Sequence, residues 1–393
     1  MRLNNLRIVI IIGAIIIFAC QHDQMAFHYE SYVADTHNDV LGRVLNGENI
    51  LTRSDKGHTD LPRLKEGGID LEVFAIWVNP DEFVPVGSYD QANKMIDALE
   101  DICTRASDKI AIPFTFNDLL VNDAHGKISA MIGMEGGHPL ENSLDKLQHF
   151  YNRGMRYLGI TWNNSTDWAT SAKDETSESV LPFRGLTKFG KDVIKKCDEL
   201  GVIIDVSHCG EKTFYDILET TVHPIIASHS SVYNICPHFR NLNDAQLMAI
   251  KENGGVVFVN YYPAYIDSTF EKRANKVRKK HKRALDSLKV LFSEESDDYW
   301  YKSQDILNKD LAAVAPSLDQ LIDHIDYIVN LIGPDHVGLG SDFDGVEVLP
   351  RGMEDCSKTP AITNKLFERG YTKENIRKIL GENFKRVFHK VVG

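Results

Sequence analysis

The sequence predicts an α/β fold, a (β/α)8 TIM-type barrel with a helical insertion between its seventh and eighth strands. Three observations carry that expectation. Eight short β-branched or aliphatic runs recur along the chain, separated by segments of helical periodicity. No G-x-G-x-x-G follows the first run, which argues against a doubly wound dinucleotide-binding sheet. Histidines and carboxylates stand at the ends of five of the runs. In a barrel, all strand C-termini open on one face.

The N-terminus reads as an export signal. Arg2 and Arg7 flank the start of an apolar run, 8–19, that ends at Cys20. A membrane span needs about 20 apolar residues, so this run has the proportions of a signal-peptide core. Ile17-Phe18-Ala19-Cys20 resembles the bacterial lipoprotein cleavage box, in which the cysteine is lipidated and becomes the mature terminus. Residues 1–20 are therefore expected as a lipoprotein-type signal peptide, 21–29 as a polar tether and 30–393 as the catalytic barrel domain. The alternative is an uncleaved anchor with Cys20 incidental. Both export the chain to the cell envelope, and the first joins it to the membrane through lipid on Cys20.

The strands are expected at 32–34, 69–77, 129–133, 156–160, 202–206, 224–227, 255–259 and 336–340. A helix over 186–200 places Phe189, Val193, Ile194 and Cys197 on one face and stops at Gly201. Another, over 317–331, stripes Leu318, Leu321, Ile322, Ile325 and Ile328. The stretch 264–315 exceeds an ordinary βα connection. It holds a basic run, 272–283, with eight Lys or Arg, then acidic Glu294, Glu295, Asp297 and Asp298. A solvated amphipathic helix pair is the expectation there, with a lid or oligomer contact over the barrel mouth as the alternative.

Composition narrows the function. Of 393 residues, 43% are hydrophobic and 25% charged, which excludes disorder and provides a sizeable core. Lys plus Arg total 44 against 56 Asp plus Glu, a net charge of −12, so no nucleic-acid partner is expected. Six cysteines without a C-x-x-C pair imply neither a thiolate zinc site nor a disulfide framework.

The chemistry lies in the strand-end motifs. The first strand runs into Asp35-Thr36-His37-Asn38-Asp39 and the third into Met134-Glu135-Gly136-Gly137-His138. The fifth ends Asp205-Val206-Ser207-His208, the sixth Ser228-His229-Ser230 and the eighth Ser341-Asp342-Phe343-Asp344. Taken singly, an H-x-D is commonly a capped turn and a lone histidine a hydrogen-bonded core residue. Five such motifs on one face are hard to obtain by chance. Imidazoles and carboxylates without thiolates suit zinc or a similar divalent ion in an open catalytic site. His37 and Asp39 point the same way and can chelate one ion. His208 and His229, from neighbouring strands, can share a second, and Glu135 between them can bridge. Two metals about 3.5–4 Å apart hold and activate a hydroxide and polarise a carbonyl. Asp342 is then free to take and return the proton of that water.

These motifs together resemble the membrane, or renal, dipeptidases, zinc metallopeptidases of the amidohydrolase-like barrels. The resemblance runs from about Tyr32 to the C-terminus. It implies two zinc ions per chain, with His37 and Asp39 on one, His208 and His229 on the other, and Glu135 bridging. It also implies that Arg240 binds the substrate's C-terminal carboxylate, a task suited to a bidentate guanidinium. Asp342 matches the family's acidic residue near the metals, so Asp342 and Glu135 are the expected catalytic residues. One departure stands out. Where animal members carry a substrate-contacting histidine, this chain has Trp162, in Thr161-Trp162-Asn163-Asn164. Indole donates one hydrogen bond but carries no proton. Losing such a donor costs on the order of 10²–10³ in rate unless Asn163 or Asn164 replaces it. Trp162 is thus expected to narrow the pocket or shift the substrate preference.

The reading is a zinc-dependent dipeptidase acting on L-L and, as the resemblance implies, also L-D dipeptides by a metal-bridged hydroxide. The alternatives are another amidohydrolase-type hydrolase of small amides, or a non-catalytic binding lipoprotein. Carbamylated lysine bridges many barrels of the first kind, whereas this chain offers Glu135. A homodimer is an open option.

Overall fold

Alternation of short strands with helices forces parallel pairing, because each strand must return to the same end of the sheet before the next begins. The computed structural model describes residues 23–177, 181–294 and 296–393. Its strands are β1 (Ala34–Asn38), β2 (Leu71–Trp77), β3 (Ile110–Ala111), β4 (Ile128–Glu135) and β5 (Met155–Gly159). They continue with β6 (Ile203–Asp205), β7 (Ile226–Ala227), β8 (Val256–Val259) and β9 (Val337–Leu339). All pairings among them are parallel. β2 pairs directly with β4, and β9 returns to β1 through Asp35 and Leu339, closing a barrel of eight strands. The expected (β/α)8 barrel is present.

One strand was not expected, and the bounds of another are corrected. β3 lies outside the ring, pairing Ile110 and Ala111 with the start of β4. A two-residue strand has no period to read. β1 begins at Ala34 and runs through His37 and Asn38 rather than ending before them. Its polar residues are satisfied inside the barrel: Thr36 Oγ1 donates to the Ser228 carbonyl at 2.6 Å, and Asp35 accepts from the Ser341 amide at 2.8 Å. Their polarity hid the strand.

Alternate strand residues fill the interior. Leu71, Val73, Met131, Tyr157, Ile203 and Phe258 meet Phe384, Val387 and Phe388 of the C-terminal helix Asn383–Val391. That helix closes the end where the strands begin, leaving the other end for the site. The two helices read from periodicity are Lys188–Leu200 and Leu318–Ile332. Thr187 caps the first by accepting from the Gly190 amide, and Gly201 ends it at φ 74°, a left-handed turn that glycine adopts without strain. Ser317 and Gln320 form the capping box of the second, whose whole expected stripe is buried.

The insertion is more than a helix pair. Pro263–Ile266, Phe270–Lys280, Lys282–Lys289 and Asp297–Val314 enclose a small core of Phe270, Ala274, Leu307 and Leu311. The segment expected as a polar tether also differs. Residues 23–29 are helical, with Phe27 and His28 buried. His28 Nδ1 lies 2.7 Å from Thr363 Oγ1, and Nε2 lies 2.9 Å from the Gly67 carbonyl. The expected signal peptide, Cys20 included, lies outside the described residues. Among the described residues no helix is long and apolar enough to cross a membrane.

Candidate metal centre

The barrel brings the expected cluster together. His37 is on β1 with Asp39 just beyond it, and Glu135 ends β4. His208, His229 and Asp342 follow β6, β7 and β9. Glu135 is the hub: its Oε1 lies 2.9 Å from His208 Nε2 and 3.4 Å from His229 Nε2, its Oε2 3.4 Å from His37 Nε2. Asp39 Oδ2 is 3.5 Å from His37 Nε2. His208 and His229 approach at 3.0 Å between Nε2 atoms. Two triplets could each hold an ion: His37, Glu135 and His229, and His37, Asp39 and Asp342. His37 belongs to both, while Glu135 turns Oε1 toward His208 and His229 and Oε2 toward His37, on whose side Asp39 stands.

Each imidazole is oriented from behind. Tyr157 Oη, which donates to the Thr36 carbonyl, accepts from His37 Nδ1 at 2.9 Å. Ser228 Oγ donates to Asp205 at 2.6 Å and accepts from His229 Nδ1 at 2.8 Å. Asn163 Oδ1 accepts from His208 Nδ1 at 3.1 Å. With all three Nδ1 atoms donating, the Nε2 lone pairs face one another and the carboxylates. His37 Nε2 is buried and has no hydrogen-bond partner. Lone pairs and carboxylates converging without a donor between them are reconciled by cations, so the residues fit a metal site.

The electrostatics agree. Burial opposes the charge on Glu135, but His37, His208 and His229 outweigh it and hold its pKa well below the usual value. Burial, with Arg240, lowers His208 to about 3, and burial, with His37, lowers His229. Neutral imidazole and ionised carboxylate are the ligating forms. Burial also opposes a charge on His37, yet Tyr157, Glu135 and Asp39 hold its pKa well above the usual value. The carboxylates demand positive charge there. His208 and Asp342 adopt left-handed φ angles of 67° and 65°, strain of the kind that accumulates at functional sites. A methyl group at Gly345 would collide with the carboxylates of Asp39 and Asp342.

A cavity of about 680 Å³ opens above the cluster, lined by Asp39, Glu135, Trp162, His208, Arg240 and Asp342 among others. Arg240 is 2% exposed and has no carboxylate within 4.0 Å among the described residues. It donates to the His229 carbonyl at 3.2 Å and Ser230 Oγ at 3.5 Å, while its Nε has no partner. Trp162 packs on Trp77, ring centroids 5.1 Å apart. Asn164 is engaged with His138 at 3.0 Å, so of the two asparagines considered as donors only Asn163 lines the cavity. The insertion reaches the same cavity through Trp300 and Tyr301, which makes it part of the site's wall rather than a solvated appendage. Tyr157, Asn260 and Trp77 escaped sequence reading, and Ser228, quoted in the motif with His229, was given no role there. Asp205, quoted in a motif, was the available pointer to the Ser228 relay.

A parallel barrel with a histidine–carboxylate cluster at the C-terminal ends of its strands has the architecture of a metal-dependent barrel enzyme. The comparisons give the family. Residues 22–392 match the membrane dipeptidase family, peptidase family M19, and the chain belongs to it. It is a hydrolase of the dipeptidase class. An uncharacterized dipeptidase of Schizosaccharomyces pombe is 33% identical over 383 residues, 91% of this chain and 80% of that protein. The probable dipeptidase PvdM of Pseudomonas aeruginosa superposes with a TM-score of 0.77 at 26% identity, covering 94% and 98% of the two chains. A Rhodobacter sphaeroides metallopeptidase, solved with a phosphinate mimic of L-Ala-D-Ala, gives 0.73 at 26% identity, covering 92% and 99%.

Proposed function

We propose that this chain is a zinc dipeptidase in which His37, Asp39, Glu135, His208 and His229 hold two ions, Glu135 bridging. The observation that carries the reading is the opening of this cluster and an unpaired, buried Arg240 onto one cavity. Bound ions would supply an activated water and polarise the scissile carbonyl. The residues do the rest. Arg240 takes the substrate's C-terminal carboxylate in its guanidinium fork, which limits substrates to those whose scissile bond lies one residue from a free carboxylate. Asn260 donates to Asp342 Oδ2 at 2.8 Å and leaves Oδ1 to receive the water proton and return it to the leaving amine. Burial raises the Asp342 pKa, which brings this carboxyl nearer to the working range of an acid–base group. Asn163 is the neutral donor that stands beside Trp162 in the histidine's stead.

The bound L-Ala-D-Ala mimic in the Rhodobacter relative supports testing L-D as well as L-L dipeptides. The test is release of free amino acids from both panels by chain stripped of metal and reconstituted with zinc. Zinc-dependent cleavage, with C-terminally amidated dipeptides refused, is the expected result. No cleavage of any dipeptide by metal-loaded protein overturns the reading. We also propose that Cys20 is lipidated and anchors the enzyme in the cell envelope. Loss of lipid labelling in Cys20→Ala is the matching check.

A further inference from the structure

The metal cluster and Arg240 occupy the floor of the cavity, and the remaining volume has its own chemistry. Its walls are aromatic. Trp77 and Trp162 form one side, and Trp300 and Tyr301, ring centroids 5.0 Å apart, enter from the insertion helix Asp297–Val314. Carboxylates share the lining. Glu294 pairs with Lys289 at 2.5 Å, but Asp81 and Asp297 have no ion-pair partner among the described residues. Lys94 also reaches the lining and pairs with neither. Burial, then Asp298, pushes the Asp297 carboxyl up, and burial, then Asp297 and Asp298, pushes up Glu82. The helix Pro80–Phe83 and the insertion therefore turn like charges toward each other, and among the described residues no ion pair joins the two elements.

We propose that this end of the cavity is a subsite for a cationic side chain on the N-terminal residue of the dipeptide, with Trp300 and Asp297 as specificity determinants. The inference rests on the dipeptidase reading. With the C-terminal carboxylate on Arg240 and the scissile bond over the cluster, the N-terminal side chain is left facing the aromatic end. About 680 Å³ is a volume of the size that holds drug-like ligands, well beyond two alanine-sized residues. Ring faces attract an ammonium or guanidinium within about 6 Å, more strongly where water is thinned out. Unpaired carboxylates beside those faces reward the same charge and reject an acidic side chain.

The experiment compares kcat/KM of the zinc-loaded enzyme for lysyl-alanine, norleucyl-alanine and glutamyl-alanine. Norleucine matches the length of lysine without its charge. Lysyl-alanine is expected to exceed norleucyl-alanine by about tenfold and glutamyl-alanine by more. Asp297→Asn and Trp300→Leu should each bring the lysyl-to-norleucyl ratio toward one, a ratio indifferent to the fraction of folded enzyme. Equal or better cleavage of norleucyl-alanine by the native chain overturns the proposal, as does an unchanged ratio in both variants. Failure to cleave any of the three while other dipeptides of the L-L and L-D panels are cleaved also overturns the proposal. No cleavage of any dipeptide overturns the dipeptidase reading itself, a distinguishable outcome.

Discussion

The phenol oxygen of Tyr157 lies 2.9 Å from Nδ1 of His37, joining β5 to β1 across the barrel interior. Because that phenol already donates to the Thr36 carbonyl, it can only accept from the imidazole, and His37 presents Nε2 to the cluster. Tyr157→Phe removes the acceptor and leaves the ring. Support of this kind is worth about 10–100-fold in metal affinity, so zinc competition titrations should show a loss in that range. Unchanged affinity would mean that packing alone sets the imidazole.

Asp342 is argued to move a proton at Oδ1 while Asn260 fixes Oδ2. Asp342→Asn keeps the shape and removes the base. We expect kcat to fall by about 10²–10⁴ with zinc content retained. Loss of zinc in step with activity would make Asp342 a ligand instead of a proton carrier.

Arg240 to Lys keeps the charge but replaces a planar fork by a point donor. KM for dipeptides should rise steeply, and the preference for free over amidated C-termini should shrink by about 10-fold or more. An intact preference would place the carboxylate clamp elsewhere.

Glu72 is buried with neither carboxyl oxygen hydrogen-bonded. Burial, then the charge of Asp35, holds its pKa well above the usual value. Between about pH 4.3, the unfolded value, and that raised pKa, the folded chain keeps a proton that the unfolded chain has released. Stability is therefore lost as pH rises through this window and is fully regained below it. Glu72→Gln removes the titration, so its Tm should exceed that of the native chain at pH 8 by several degrees and converge on it near pH 4. A difference independent of pH would show that the carboxyl is already ionised in the fold.

Much of this was legible because hydrophobic periodicity is local. The stripe Leu318 to Ile328 and the stop at Gly201 follow from residues a few positions apart, and both are found in place. The ligand candidates were legible for a related reason: each stands where an apolar run ends, and a barrel sends all such ends to one face. β1 was misplaced because Asp35, Thr36 and His37 are polar inside a strand, their partners Ser228 and Ser341 lying far along the chain.

By itself, then, the sequence determined the barrel, the cluster of His37, Asp39, Glu135, His208, His229 and Asp342, and Arg240 as a further candidate. Tertiary structure alone decided how those residues are used. It placed Tyr157, Ser228 and Asn163 behind the three imidazoles, and packed residues 23–29 against the body. It also brought Trp300 from the insertion into the cavity wall opened by the barrel strands. Hydrogen bonds and cavity walls join residues distant in sequence, and their partners are fixed only when the strands close.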